Sequence, residues 1–360
     1  MKNWKLKKMF NILILFAASG FAVPACSQPA PLSPPPLLAI GQDMQGRPLP
    51  FGVPPYFSPD TPLGSGPYKA VMSAYDNLPE NIAYHPANMD AAGPLPIIVW
   101  GNGGCLHAGN RFRGFLTELA SHGFLVISAG TMGHVALEVG PQEDPFVARP
   151  DGPPRPPAPA PIENDPTAQW RASRSTAAHM LSAIDWAIAE NGREGSPFYN
   201  KLNIESVGAG GQSCGGSLTF ELSDDPRLDA IGIFNSGTWL QSRFAREVSV
   251  EQAAAARQNL NKVHTPTIIL TGDEVLDIAY WGGVDSFNYL SEVPVFHAWQ
   301  EGLSHIGTYG APNGGGIARI AKDWYTWQLK GDQQASRMFI GENCLLCQEP
   351  GWHISKKNME

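Results

Sequence analysis

"GAGGQSCGG", residues 208–216, is the stretch of this sequence that decides the fold. Residues 204–207 before it predict a short strand, and residues 217–222 after it can continue as a helix, so the glycines occupy a strand-to-helix junction. Three interpretations are open for such a junction: a loop that cradles a phosphate, a plain tight turn, and a turn that presents a nucleophilic serine.

Two positions of the motif disfavour the phosphate interpretation. A dinucleotide-binding G-x-G-x-x-G would need glycine where Ser213 stands, and a P-loop would need a lysine, which the stretch lacks. Gly211 to Gly215 instead fits G-x-S-x-G, in which the serine sits on a strained strand-to-helix turn and exposes its hydroxyl. Flanking glycines remove the side chains that would collide there. We therefore predict Ser213 as a nucleophile.

Strand and helix patterns alternate along the rest of the chain, which predicts an α/β fold with a mostly parallel central sheet and helices on both faces. The expected strands are 68–75, 81–85, 95–100, 124–128, 204–207, 230–234, 266–270 and 293–298. The expected helices, apart from the one that begins at 217, are 111–121, 167–191, 251–262 and 316–329. The continuous apolar run at 95–100 is typical of a strand that is buried on both faces.

A serine hydroxyl needs a general base, and the base needs a carboxylate that orients it. With a G-x-S-x-G serine, the acid and then the histidine follow later in the chain, each beyond a strand end. Of the histidines near the last predicted strand, His297 lies within the strand and is expected to be structural, whereas His305 lies in a glycine-flanked loop and is the predicted base. The loop after the preceding strand offers Asp273, Glu274 and Asp277, and the residues alone leave both aspartates open.

The N-terminal residues 1–25 predict a signal peptide, with four lysines, an apolar run over residues 9–23 and a cleavage site of small residues. The run is too short for a comfortable membrane span. Cys26 stands where a bacterial lipoprotein carries its lipid, and the alternative is ordinary cleavage after Ala25. We expect an exported protein, periplasmic or secreted, that is anchored to the membrane if Cys26 is lipidated.

The chain is acidic, with 33 acidic and 25 basic residues and a formal net charge of −8. Removal of residues 1–25 takes away four lysines and no acid, which leaves a charge of −12. This charge argues against nucleic acid and anionic membrane surfaces as partners. The sequence contains no H-E-x-x-H and no calcium loop, so it implies no metal and no cofactor. We expect a monomer.

The segments "PLPIIVWGNGGC", "LASHGFLVI", "GQSCGG", "LDIAY" and "GLSHIGTY" together resemble the α/β-hydrolase superfamily. They are similar to bacterial cutinases, polyester hydrolases and dienelactone-hydrolase-like esterases. The resemblance covers roughly residues 66–330, and it implies Ser213 as nucleophile, Asp277 as orienting acid and His305 as base. In the family one residue usually separates the acid from Ile-Ala. Here Asp277 abuts that pair, which keeps Asp273 as an alternative.

The predicted organisation has four parts: the signal peptide, a proline-rich tether at 26–65, an α/β-hydrolase domain at 66–335, and a cysteine-containing extension at 336–360. A proline-rich excursion at about 132–166 interrupts the domain, and its prolines exclude a helix or central strand there. The excursion and the extension lie outside the cutinase pattern, so the resemblance does not imply activity on polymers.

Two cysteine pairs are predicted to be disulfides. Cys214 follows the serine and is one expected oxyanion-hole donor, and the resemblance places the other donor at Cys105. Two N–H groups aimed at one oxygen bring their residues within the reach of a disulfide, whereas side chains that diverge would leave two free thiols. Cys344 and Cys347 fit a zinc half-site, a redox pair or a local disulfide. Only His353 lies nearby as a further zinc ligand, which favours the disulfide.

Three aromatic residues, Trp239, Trp281 and Tyr309, follow predicted strand ends and are candidates for the substrate pocket, with plain packing as the alternative. For Asn102 and His107, in the turn that leads to the second donor, a local backbone hydrogen bond is more expected than substrate contact. The sequence thus predicts an exported serine hydrolase of small or polymeric carboxylic esters that forms an acyl-enzyme. Acyl transfer to an alcohol, peptide cleavage and a non-catalytic binding protein on the same fold are the alternatives.

Overall fold

The protein is described by a computed structural model that covers residues 64–132, 174–239, 254 and 257–359. All of them belong to one compact unit, Leu38–Glu360. The predicted signal peptide, Cys26, almost all of the tether and almost all of the proline-rich excursion lie outside the described residues. No helix within the described ranges is both long enough and apolar enough to cross a bilayer.

The described strands form one mixed sheet with the order β1-β2-β4-β3-β5-β6-β7-β8-β9. The strands are β1 (Ala70–Ser73), β2 (Asn81–Pro86), β3 (Leu95–Gly101), β4 (Leu125–Ala129), β5 (Leu202–Gln212), β6 (Leu228–Phe234), β7 (Thr267–Thr271), β8 (Val295–Gln300) and β9 (Trp352–Lys357). The six strands from β4 to β8 in this order pair in parallel, and β1, β2 and β9 add antiparallel edges. The predicted α/β class with a mostly parallel sheet is confirmed.

Helices cover both faces of the sheet, as a parallel sheet requires. They are α1 (Met89–Ala92), α2 (Arg113–Ser121), α3 (Ala177–Gly192), α4 (Cys214–Glu221), α5 (Tyr280–Tyr289), α6 (Gly315–Lys330) and α7 (Gln333–Ser336), with short 3₁₀ turns at Gly103–Cys105, Leu260–Lys262, Pro312–Gly314 and Leu346–Gln348. Of the expected helix at 251–262, residues 251–253, 255 and 256 lie outside the described residues, and the segment closes with the 3₁₀ turn at Leu260–Lys262.

Alternate residues of β3 show how the two layers form. Ile98 and Trp100 are fully buried against the core that holds α2 and α6, whereas Ile97 and Val99 are fully buried against the core that holds α3. Side chains of a strand point alternately to opposite faces, so the apolar run fills both cores at once. The sheet is therefore the middle layer between two layers of helices.

The parallel strands all end at one edge of the sheet, and the loops that follow them meet there. Chain order then places Ser213 after β5, the loop with Asp277 after β7 and the loop with His305 after β8. Ligands of open α/β sheets bind at this carboxyl edge. The predicted extension at 336–360 contributes β9, which pairs with β8 at the end of the strand order opposite β1.

Candidate active site

The serine stands on a strained turn between β5 and α4. Ser213 has φ 55 and ψ −122, a region that costs a non-glycine residue about 1–3 kcal/mol. Two hydrogen bonds hold it there: the Ser213 N–H donates to Phe234 O at 2.9 Å, and the Ser236 hydroxyl donates to Ser213 O at 2.6 Å. Neighbouring β6 therefore fixes the turn that aims the Ser213 hydroxyl.

The glycines beside the serine let three backbones approach one another. A Cβ on Gly211 would lie 2.3 Å from the Gly215 carbonyl carbon, and a Cβ on Gly215 would lie 1.9 Å from Gly101 O. Such distances are far below van der Waals contact, so no side chain fits at either position. The end of β3, the end of β5 and the start of α4 thus meet at glycines, which explains the composition of the stretch at 208–216.

Ser213, His305 and Asp277 form a continuous hydrogen-bonded chain, which we call the Ser-His-Asp row. His305 Nε2 lies 2.9 Å from Ser213 Oγ, and His305 Nδ1 lies 2.7 Å from Asp277 Oδ1. An ionised carboxylate can only accept a hydrogen bond, so Nδ1 carries the ring proton and donates a hydrogen bond to Asp277. The lone pair of Nε2 then faces the Ser213 hydroxyl, which is the arrangement that a general base needs.

Asp277 is held as a carboxylate although its side chain is fully buried. Burial alone would raise the pKa of Asp277, but the hydrogen bond and charge of His305 outweigh it together with two backbone N–H donors, so the pKa lies below its usual value. These donors are Gly272 N at 2.7 Å and Ala279 N at 2.8 Å. The loop after β7 is therefore built around this one charge.

Behind Asp277 lies a second set of polar contacts that sequence reasoning missed. The Asn235 side-chain amide donates to Asp277 Oδ2 at 2.8 Å, and the Tyr309 hydroxyl donates to Asn235 Oδ1 at 2.7 Å. The Gln212 amide donates to His305 O at 3.0 Å and so holds the histidine loop. Asn235 directly follows β6, and Gln212 directly precedes the serine, so the position after a strand end was the available signal.

The two other candidates from the sequence, Asp273 and His297, make contacts outside the Ser-His-Asp row. Asp273 makes a turn, since its carboxylate accepts from Val275 N at 2.8 Å and Gly302 N at 3.1 Å, and it is Asp277 that contacts the histidine. His297 is buried inside β8, where desolvation lowers its pKa to about 4. Its position matches the structural role that was expected for it.

Both predicted disulfides are present. Cys105 and Cys214 are bonded with their Cα atoms 5.2 Å apart, and Cys344 and Cys347 with theirs 4.9 Å apart. The first bond joins the turn after β3 to the first residue of α4, where an N–H has no partner within the helix. The Cys105 N–H donates to Asn102 O at 3.1 Å. The bond therefore places both expected donor residues side by side, one of them with its N–H already engaged.

The turn after β3 is held by a buried amide. Asn102 is fully buried, and its side-chain Nδ2 lies within 3.3 Å of three backbone carbonyl oxygens, those of Leu106, Ala108 and Ala129. This is the local backbone bonding that was expected for Asn102. The turn can therefore keep Cys105 at φ 49, a backbone region that favours glycine.

The three aromatic candidates have different surroundings. The ring of Trp239 meets the ring of His305 edge-on at 5.9 Å between centroids, and its Nε1 donates to Ser217 Oγ at 2.9 Å. Trp281 is 39% exposed on α5 and contacts Tyr280. Tyr309 is buried, and its hydroxyl faces Asn235 in the interior. Of the three, Trp239 is the one whose ring reaches the Ser-His-Asp row.

The arrangement is chemically suited to acyl transfer: a strained turn presents a hydroxyl, an imidazole faces it, and a buried carboxylate fixes the ring. The chain matches no protein-family model, and no curated protein is significantly similar to it in sequence.

Proposed function

We propose that this protein is a serine hydrolase of the α/β-hydrolase fold that cleaves carboxylic esters. The observation that carries the proposal is the Ser-His-Asp row, with contacts of 2.9 and 2.7 Å between residues 92 and 28 positions apart. The strained backbone of Ser213 and the chain order serine, acid, histidine at one sheet edge agree with that fold.

In the proposed mechanism, Ser213 Oγ attacks the carbonyl carbon of the ester while His305 Nε2 takes its proton. The carbonyl electron pair moves onto the oxygen, and Asp277 stabilises the imidazolium that forms. When the intermediate collapses, the bond to the alcohol oxygen breaks and His305 returns the proton to the leaving alcohol. Water then repeats both steps on the acyl-enzyme, which releases the acid and restores the Ser213 hydroxyl.

The developing oxyanion would be stabilised by the backbone N–H groups of Cys214 and Cys105, each worth roughly 3 kcal/mol in comparable sites. The N–H of Cys214 is at the first position of α4 and so adds the positive end of the helix dipole. The N–H of Cys105 already donates to Asn102 O, so it would share its proton between that carbonyl and the substrate. Cys214 is therefore the stronger of the two proposed donors.

Trp239 is proposed as one wall of the acyl pocket, because its indole packs edge-on to His305 and is fixed by Ser217. We propose export to an oxidising compartment, which two disulfides in one chain support. Lipidation at Cys26 remains part of that proposal, as does a monomeric state.

Hydrolysis of nitrophenyl esters, from acetate through palmitate, tests the proposal and ranks acyl length. Ser213→Ala is expected to lose on the order of a million-fold in kcat. Ser206→Ala is the matched control on the same strand, since its hydroxyl accepts from the Asn203 amide at 2.9 Å, away from the Ser-His-Asp row, and it should keep wild-type rates. Equal rates for Ser213→Ala and wild type would contradict the proposal, and a folded wild type without any turnover would favour a binding protein.

A further inference from the structure

Three residues from separate segments meet beside the turn that carries Cys105. Glu80 precedes β2, His107 lies beyond β3, and His179 lies in the first turn of α3. Each offers one ligand atom, and these atoms all lie within 4.8 Å of one another. The Ser-His-Asp row uses none of the three.

Backbone contacts hold these segments together, so the cluster is not a chance meeting of mobile side chains. Glu80 O accepts from Gly130 N at 2.7 Å, and Cys105 O accepts from Ser175 N at 2.9 Å. Leu106 also pairs with Arg174 through an antiparallel bridge. The first bond fixes the segment before β2 to the end of β4, and the other two fix the turn after β3 to the start of α3.

We infer that Glu80, His107 and His179 bind a divalent transition-metal ion, with Zn²⁺ as the first choice. Two imidazoles and one carboxylate are a known ligand set for zinc, and a water completes the tetrahedron. Imidazole nitrogen suits zinc and its neighbours, whereas Ca²⁺ and Mg²⁺ prefer oxygen ligands alone. The chemistry of the cluster therefore selects the metal class.

The adjustment that metal binding requires of the Glu80–His107 pair is small. Ligand atoms about 2.1 Å from a tetrahedral ion lie roughly 3.4 Å apart. Glu80 Oε2 now lies 2.8 Å from His107 Nε2, so that hydrogen bond must open slightly. The Glu80 side chain is 53% exposed and free to shift, while His107 is 7% exposed and held in place. The buried histidine thus sets the site and the exposed carboxylate adapts to it.

A metal-bound histidine needs a partner for its other ring nitrogen. His107 Nδ1 has one, because Ser175 Oγ lies 3.2 Å away. His179 Nδ1 accepts from Thr176 N at 3.0 Å and lies 3.3 Å from Thr176 Oγ1. With a metal on Nε2, Nδ1 carries the proton, so the hydrogen bond from the Thr176 N–H must break. Nδ1 then donates to the Thr176 hydroxyl instead, and the exposed Thr176 N–H bonds to water.

Metal binding needs the neutral form of both histidine rings. A bound ion would tie the segment before β2 and the start of α3 to the turn of Cys105. Binding only to the folded state would then stabilise the fold by mass action.

Calorimetric titration of ZnCl₂ into the full chain, after dialysis against a chelator, tests this site. We expect one Zn²⁺ per chain and at least about tenfold weaker binding in Glu80→Gln and in His179→Gln. His179→Gln keeps a side chain that completes the capping box with Thr176, so helix α3 retains its start. Saturating Zn²⁺ should raise the melting temperature of wild type more than that of His179→Gln, and Ca²⁺ should raise neither.

His353→Gln is the matched control, because His353 Nε2 lies 2.8 Å from Glu301 Oε1 and no second histidine joins this pair within the described part of the chain. It should bind Zn²⁺ as tightly as wild type. The inference is overturned if wild type shows no stoichiometric binding, or if both Glu80→Gln and His179→Gln bind as tightly as wild type. Should His179→Gln fail to fold, Glu80→Gln decides alone, since its amide can still accept from His107.

Discussion

Two regions of the molecule contain the same kinds of residue. The carboxyl edge of the sheet has the pair His305–Asp277 at 2.7 Å and a disulfide beside Ser213. The C-terminal edge, which we define as β9 with its neighbours, has the pair His353–Glu301 at 2.8 Å and the disulfide Cys344–Cys347. Both pairs join a histidine to a carboxylate at nearly the same distance, so neither the residue types nor the distance distinguishes the two regions.

Burial is what differs. Side-chain exposure is 8% for His305 and 0% for Asp277, but 45% for His353 and 62% for Glu301. An exposed ion pair is screened by water and contributes about 0–1 kcal/mol. The buried carboxylate of Asp277 is fixed by its hydrogen-bond partners, and it holds the imidazole of His305 against the hydroxyl of Ser213. A histidine–carboxylate pair is suited to catalysis when its surroundings leave it one geometry.

The largest expected difference is in turnover. Asp277→Asn should lower kcat about 10⁴-fold, because an amide stabilises the wrong imidazole tautomer. Glu301→Gln, the corresponding change in the exposed pair, should change kcat less than about twofold. Steady-state kinetics on a nitrophenyl ester measures both. A loss carried by Asp273→Asn instead would contradict the assignment of Asp277.

The two disulfides should differ next. The Cys105–Cys214 bond closes a separation of 109 residues, for which chain entropy gives about 5 kcal/mol, whereas the separation of 3 in Cys344–Cys347 gives about 1.5 kcal/mol. Urea unfolding of the two double Cys→Ala variants measures the difference. Only the first variant should also lose turnover, because it frees the proposed oxyanion donors. Equal losses of stability would contradict this account.

A third histidine separates burial from pairing. His297 lies on β8 opposite Ser355 of β9, its ring stacks on Phe287, and its Nε2 has no hydrogen-bond partner among the described residues. Its pKa of about 4 is below the ordinary 6.5. The neutral ring therefore contributes its full stability above pH 6.5, and that contribution is lost as the pH falls toward 4.

At pH 5 His297 binds a proton in the unfolded chain but not in the folded protein. The free energy of unfolding is therefore lower by about 2 kcal/mol than at pH 7.5. His297→Leu should remove this part of the acid sensitivity, whatever its stability at neutral pH. Urea unfolding of both proteins at the two pH values measures it. An unchanged difference between the pH values in the variant would show that His297 does not titrate as described.

The smallest effect concerns the contacts behind Asp277. Tyr309→Phe removes the donor to Asn235, a hydrogen bond worth about 0.5–1.5 kcal/mol, and we expect kcat to fall about threefold to tenfold with KM unchanged. Tyr325→Phe is the control, since that buried hydroxyl donates to Ala209 O, away from the row. It should lower stability alone. Equal kcat in both variants would assign Tyr309 a purely structural role.

Sequence reasoning reached the parts of the fold that local patterns determine. The apolar runs predicted β3 and β4 within two residues, and glycine positions predicted the turn at Ser213. The helix α5 was missed because its glycines at 282 and 283 disfavour a helix locally, while packing against Trp239 and β7 requires them. Strand β9 was missed because only Trp352 and Ile354 of its six residues are apolar residues that pack on the core, which is too short an alternation to predict a strand.

The site was predictable to the extent that it follows strand ends. Ser213 was predicted from the G-x-S-x-G motif at a strand end and His305 from its position beyond a strand, whereas the choice of Asp277 over Asp273 needed a family resemblance. Both aspartates follow β7 within one turn of the chain, and only the fold decides which reaches the histidine. The roles of Asn235 and Tyr309 were missed, because hydrogen bonds across 42 and 74 residues leave no local pattern beyond the position of Asn235 after a strand end.

Labelling with a fluorophosphonate probe, followed by peptide mass spectrometry, tests the central claim most directly, because the probe reacts with serines that an imidazole activates. We predict one adduct per chain on Ser213, no adduct in Ser213→Ala, and labelling that is slowed by orders of magnitude in His305→Ala. An adduct on another residue, or a folded wild type that stays unlabelled, would contradict it.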